Sequence, residues 1–292
     1  MKKSAGKLLV IGLIRSFIVV LILLGVGAGS YWAVMHFWDI PIAEAPEEKD
    51  PIKEPEKEPI TKAVLDDISK NLIFRVQEET GEINGMLLEI FHCEEKRMQF
   101  ITIPIRTQYT MSEALYRKLV LVHPTIPQVI RLSNITKYFD KDAVYDYGVL
   151  IMEDLLGIDI SYYTAIPESI YTTIFKTQKI AEESGVTSSR NSLQEKEISI
   201  SYEVFSDKYI KFLKSFQTEE DVHDYLAEIY PSVQSNLTLN GKMNYLESYC
   251  KTPLNRVSFA LMNGINKNNA YYIEGALAKQ QVESYIAGNA AE

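Results

Sequence analysis

Residues 16–38 contain no Lys, Arg, Asp or Glu, and Lys2, Lys3, Lys7 and Arg15 are the only charged side chains before them. At about 1.5 Å of rise per helical residue, such a run can cross a hydrocarbon core of roughly 30 Å. The first charge after it is Asp39. Because every nearby Lys and Arg precedes the run, the positive-inside rule predicts a cytoplasmic tail over 1–15, a transmembrane helix over 16–38 and an extracellular remainder. A cleaved signal peptide is the alternative, since it also opens with lysines and an apolar core, although that core is usually about 7 to 15 residues long. Here the run continues through Tyr31, Trp32, Phe37 and Trp38, aromatics suited to an interfacial belt. Gly25 and Gly29 make a small-xxx-small pair of the kind that packs a second membrane helix, but glycine is common in such helices anyway.

The balance of 30 Lys plus Arg against 39 Asp plus Glu leaves a formal charge of −9, and no acid precedes residue 39, so the exported part is the more acidic. That argues against nucleic acid as a partner, which needs a basic footprint, and against general adhesion to acidic lipid. A local basic pocket for a phosphate stays compatible with it. Two cysteines, Cys93 and Cys250, are too few for a disulfide scaffold and could pair or remain free. Residues 39–60 alternate proline with charge and offer little to bury, so they read as an extended, solvated linker. The regular apolar patterning of 61–292 predicts one domain, with the polar stretch 176–197 as a surface excursion.

Apolar runs rich in β-branched and aromatic residues predict strands over 71–78, 85–93 and 98–105, the last two forming a hairpin about Glu94-Glu95-Lys96-Arg97. Helical spacing of apolar residues predicts helices over 112–122 and 142–156, the second stopped by Gly157. Further on, the pattern predicts strands over 162–166 and 198–204 and helices over 206–216, 219–229 and 239–249. Strands over 257–262 and 270–273 and a last helix to about 286 complete it. Strands and helices interleave, which predicts an α/β fold: a three-layer αβα sandwich with a central mixed sheet.

No Gly-rich phosphate loop, GxSxG elbow or HExxH motif is present, and His36, His92, His123 and His223 are scattered without ligand spacing, so no metal site is predicted from them. Three segments, in order, nevertheless carry a likeness. They are Gly85-Met86-Leu87-Leu88-Glu89-Ile90 leading to Met98-Gln99-Phe100-Ile101-Thr102-Ile103-Pro104, then Asp154-Leu155-Leu156-Gly157-Ile158-Asp159-Ile160-Ser161-Tyr162-Tyr163, then Val233-Gln234-Ser235-Asn236-Leu237-Thr238-Leu239. Over about 71–286 the chain resembles the LytR-CpsA-Psr family of bacterial cell-envelope proteins. The resemblance implies an anchored extracytoplasmic domain that moves a cell-wall glycopolymer from a polyprenyl diphosphate lipid to peptidoglycan. It also implies a pocket for the lipid chain, arginines on the diphosphate, and carboxylates holding Mg2+.

The chain departs from that pattern at the positions that carry the chemistry. Where the family places a metal-binding Asp, this sequence has Asn84. The family's Pro-Arg-Asp reads Pro104-Ile105-Arg106, so the arginine either faces the other side of a strand or is restored by a shift in a loop. Between residues 177 and 240 the only arginine is Arg190; Lys208, Lys211 and Lys214 stand in its region, but a lysine point charge does not reproduce the fork of arginine on phosphate. Arg131 lies near the family's Lys-x-Asn motif. The candidate set is therefore Arg106 and Arg131 as catalytic cations and Lys208 and Lys211 as phosphate ligands, with Asn84 at the metal position and Mg2+ required only if the protein is active. Two functions stay open: a glycopolymer phosphotransferase with a degenerate catalytic set, or a non-catalytic polyprenyl-lipid binder or scaffold.

Overall fold

The computed structural model describes residues 59–180, 201–216, 218–267 and 269–288. The predicted tail, the transmembrane helix, almost all of the linker and most of the polar excursion lie outside them. Among the described residues no helix is long and apolar enough to cross a membrane.

Three successive strands, β1 (Ile68–Val76), β2 (Ile83–His92) and β3 (Arg97–Ile103), form the antiparallel centre of the domain. Their apolar runs are nearly continuous because the strands are buried on both faces. Lys96, in the left-handed region with φ 53°, closes the β2–β3 hairpin. Two short strands, β4 (Gln108–Thr110) and β5 (Val129–Arg131), pair with each other around α1 (Glu113–Val122), which starts where the Ser112 hydroxyl accepts from the Leu115 N–H. A 3₁₀ segment, Leu132–Lys137, leads to α2 (Val144–Leu156), stopped by Gly157 at φ 65° as its spacing predicted.

β6 (Tyr162–Pro167) runs parallel to β1, and α3 (Glu168–Ile174) follows directly. β7 (Phe175–Lys179) and β8 (Ser201–Phe205) then form a separate antiparallel ribbon. The start of the predicted excursion is thus a strand. Lys176 to Lys179 are all exposed, so alternation gave no signal there, and Phe175 and Phe205 anchor the ribbon at its base. α4 (Asp207–Leu213), α5 (Glu219–Ile229) and the short β9 (Gln234–Ser235) come next.

The predicted helix over 239–249 is two, α6 (Leu239–Met243) and α7 (Leu246–Lys251). The break has a local cause: Asn244 donates its side-chain amide to the carbonyls of Asn240 and Gly241, 3.1 Å each, while its own N–H turns to Gly241. Such side chain to backbone bonds compete with helix continuation. β10 (Val257–Leu261), the hairpin of β11 (Ile265–Lys267) and β12 (Ala270–Tyr272), and α8 (Gly275–Ile286) end the fold.

The main sheet has six strands in the order β10-β3-β2-β1-β6-β9, mixed because β10 pairs β3 and β6 pairs β1 in parallel. Strand alternation sorts its side chains into two cores. Leu72, Phe74, Met86, Leu88, Ile101 and Tyr163 face a dense core shared with α1, α2 and α8. Ile73, Leu87, Phe91, Phe100, Tyr162 and Ile166 face the other, shared with α3, α4, α7 and the β7–β8 ribbon. Burying each such side chain contributes about 1.5–3 kcal/mol. The second face is the less completely filled, and it holds the site.

Candidate functional site

Two hollows lie on that second face. The first is an apolar cavity of about 320 Å³ whose walls include Ile73, Phe100, Phe175, Phe205, Leu226 and Val233. Phe100, Phe175 and Phe205 form a ring cluster with centroids 5.4–5.6 Å apart. The second is a polar cleft of about 290 Å³ bounded by Arg75, Asn84, Thr102, Arg106, Thr177 and Glu203. Thr102, Thr177 and Glu203 each stand two residues from one of the three phenylalanines on the same strand, which places cleft and cavity one pleat repeat, about 7 Å, apart.

Arg75 organises the cleft. Its Nε donates to Asn84 Oδ1 at 2.7 Å and its Nη2 to the Asn84 carbonyl at 2.9 Å. Nη1 lies 3.9 Å from Glu203 and Nε 3.9 Å from Glu168, and the guanidinium carbon sits 5.4 Å from the Tyr171 ring centre. Gly85 faces Arg75 across the β1–β2 pair. Burial pushes the Glu203 carboxyl above its ordinary value, while Arg75 pulls the other way.

The predicted residues fall in different places. Arg106 lies in the turn beyond the end of β3, closed by the Thr107 N–H on the Pro104 carbonyl at 2.9 Å. It is therefore free of strand alternation, and it is among the cleft's lining residues. Its Nη1 is buried with no hydrogen-bond partner among the described residues. Asn84 lies inside β2, not in a turn, and serves as an acceptor for Arg75. Arg131 ends β5 opposite Gln108 and is not among the cleft's lining residues. Lys208 and Lys211 are exposed on α4 and line neither hollow, and Lys214, just after it, is exposed as well. Cys93 and Cys250 are both free thiols.

Sequence reasoning missed a second polar group, in the cavity wall. Lys242 on α6 donates to the Tyr162 hydroxyl at 2.7 Å and to the Tyr249 hydroxyl at 2.6 Å, with its ammonium 4.9 and 4.8 Å from the two ring centres. The Tyr249 hydroxyl donates to Glu89 Oε1 at 3.1 Å, and Asn71 Nδ2 donates to Glu89 Oε2 at 3.0 Å. The Thr164 hydroxyl closes the chain on Asn71 Oδ1 at 3.1 Å. Burial works against the Lys242 ammonium, but the oxygens of Tyr162 and Glu89 outweigh it and hold the ammonium above the ordinary lysine value. The available signals were Arg75 inside an apolar strand run and Glu89 inside another, each a charge where burial was predicted.

The third segment of the likeness also acquires a physical role. Asn236 Oδ1 accepts from the Tyr163 N–H at 2.9 Å, and its Nδ2 donates to the Thr61 hydroxyl at 3.2 Å, tying the entry to α6 to the edge of β6.

No family model matches the chain, and no curated protein matches it. Among solved structures, TagV of Bacillus subtilis is 11% identical over 76% of this chain and 96% of its own, with a TM-score of 0.48. The protein gbs0355 of Streptococcus agalactiae is 11% identical over 76% of this chain and 87% of its own, with a TM-score of 0.49. TagT bound to LI-WTA is 10% identical over 79% and 94%, with a TM-score of 0.45. Likenesses at this level carry no functional argument.

Proposed function

We propose that this is a membrane-anchored extracytoplasmic protein of cell-wall glycopolymer attachment that holds a polyprenyl (di)phosphate lipid without itself transferring the polymer. The hydrocarbon chain would occupy the apolar cavity and the phosphate would meet Arg106 in the cleft. The observation that carries this reading is the adjacency, on one sheet face, of an aromatic-lined hollow and a polar cleft lined by Arg106. An amphiphile with an anionic head matches that division, since apolar walls take the chain and a charge-assisted hydrogen bond takes the head. The sequence likeness supplies the envelope setting, and the charged tail before residues 16–38 supplies the orientation.

The residues present do not fit the magnesium that transfer would need. Mg2+ is held by oxygen ligands in near-octahedral geometry, usually with one or two carboxylates. In the cleft the candidate oxygens are those of Asn84, which accepts from Arg75, and Glu203, which pairs with it. Arg75 in turn commits two of its five N–H donors to Asn84, and its Nη1 faces the competing Glu203 carboxylate at 3.9 Å.

The test is lipid extraction from the full chain purified in nanodiscs, followed by mass spectrometry. An isoprenoid phosphate is expected with the wild type and not with Leu226→Trp, which fills the cavity from α5; its absence from the wild type would refute the reading. A second reading, retained transferase activity, is favoured only by the free Arg106 donor. It would have a peptidoglycan hydroxyl attack the glycan-side phosphorus of the lipid-linked diphosphate, breaking the P–O–P bridge and releasing polyprenyl phosphate, with the hydroxyl proton lost to solvent and Arg106 on the phosphate. Transfer from lipid-linked glycan to peptidoglycan in the presence of Mg2+, abolished by Arg106→Ala, would establish it.

A further inference from the structure

The cavity's own polar group is not explained by a purely hydrocarbon occupant. A lysine carries three donors, and Lys242 uses two of them on the hydroxyls of Tyr162 and Tyr249. Glu89 offers about four lone-pair sites, of which Asn71 and Tyr249 use two. Both Lys242 and Glu89 line the cavity. Its wall therefore presents one spare donor and spare acceptors on either side of the Tyr249 hydroxyl, and leaving these against hydrocarbon is unfavourable because buried polar groups lose water without replacement.

The position of the group excludes the phosphate end of the ligand. Glu89 lies four residues along β2 from Gly85, which faces Arg75, so the two polar sites are about 13 Å apart along the strand. Between them the face is Ile73 and Leu87. Charge decides what the far site can take. One lysine and one glutamate balance, so the site offers a charged end no net attraction to offset the cost of desolvating it. A hydroxyl can accept from Lys242 and donate to Glu89 at once.

We infer that the Lys242–Glu89 end of the cavity is a binding site for an uncharged hydroxyl-bearing end of an aliphatic chain, so that the cavity selects long-chain alcohols over carboxylates, amines and plain hydrocarbon. This deepens the proposed function, resting on the cavity as a ligand site while adding what the ligand carries far from its phosphate. Sequence alone supports the placement only through Glu89, the single charge in the run 85–92.

The test uses the full chain in nanodiscs and diazirine-bearing analogues of dodecanol, dodecanoate, dodecylamine and dodecane, photolysed at equal membrane concentration, with labelled peptides mapped by mass spectrometry. The alcohol is expected to label the 239–251 peptide at least about fivefold more than the other three, the margin of one or two satisfied hydrogen bonds. Glu89→Gln should move the preference toward the carboxylate and Lys242→Met toward the amine. Opposite shifts are not produced by general loosening of the fold, and the wild-type ranking stands even where a variant fails to fold. Equal labelling by all four probes overturns the hydroxyl site while leaving the cavity reading intact; no cavity labelling by any probe overturns both. A wild-type preference unmoved by either folded variant also overturns the assignment to Lys242 and Glu89.

Discussion

Gly85 and Arg75 face each other across the β1–β2 ladder so closely that a methyl group on residue 85 would stand 3.1 Å from both Cβ and Nε of Arg75. The missing side chain is what lets the arginine lie flat along the sheet and reach both oxygens of Asn84. Gly85→Ala is expected to displace the guanidinium and destabilise the fold by about 1 to 3 kcal/mol, the range for small-to-large changes in packed sites. A thermal melt compared with wild type, together with Asn84→Ala as a control that removes the same acceptor, measures it.

Glu203 competes with any anion for Arg75. Glu203→Gln removes that carboxylate charge while keeping a polar side chain beside the Thr177 hydroxyl, so inorganic pyrophosphate should bind the cleft roughly tenfold more tightly at low salt, with the gain shrinking as salt screens it. Isothermal titration at two ionic strengths reads both effects. Unchanged affinity would mean that Arg75 is held by Asn84 alone.

In the dense core, Gly148 on α2 meets Phe74: a methyl there would lie 2.8 Å from the ring tip. The ring is buried and also contacts Tyr145 and Tyr163, so it has little room to yield. Gly148→Ala should cost about 1–3 kcal/mol despite its better helix propensity, and a urea midpoint shifted downward would show it.

Glu153 supplies a pH signature. Burial raises its carboxyl above the ordinary glutamate value and Asp159 pushes the same way, against the Ile160 N–H hydrogen bond and Lys118. The folded protein thus binds this proton more tightly than the unfolded chain does, so the stability it contributes is present at low pH and is lost as pH rises through the interval above about 4.3. Urea midpoints recorded across that interval should fall less steeply for Glu153→Gln than for wild type.

The α/β class, the β2–β3 hairpin, the Ser112 start of α1 and the Gly157 stop of α2 were all legible, because each rests on local chemistry: apolar period, hydroxyl cap and left-handed glycine. The split of α6 from α7 was not, since Asn244 breaks the helix through side-chain bonds that apolar spacing does not register. Nor was β7, whose exposed residues carry no alternation to read.

The site divides along the same line. Arg106 and Asn84 were singled out by what the family resemblance implies at their positions, and composition alone made nucleic acid a poor partner. That Arg75 meets Asn84, or that Lys242 and Glu89 flank one cavity 153 positions apart in the chain, only the tertiary structure decided. Local propensity acts over a few residues, whereas a binding site is made by sheet register and by which helices cover which face, and those are settled by the packing of the whole domain.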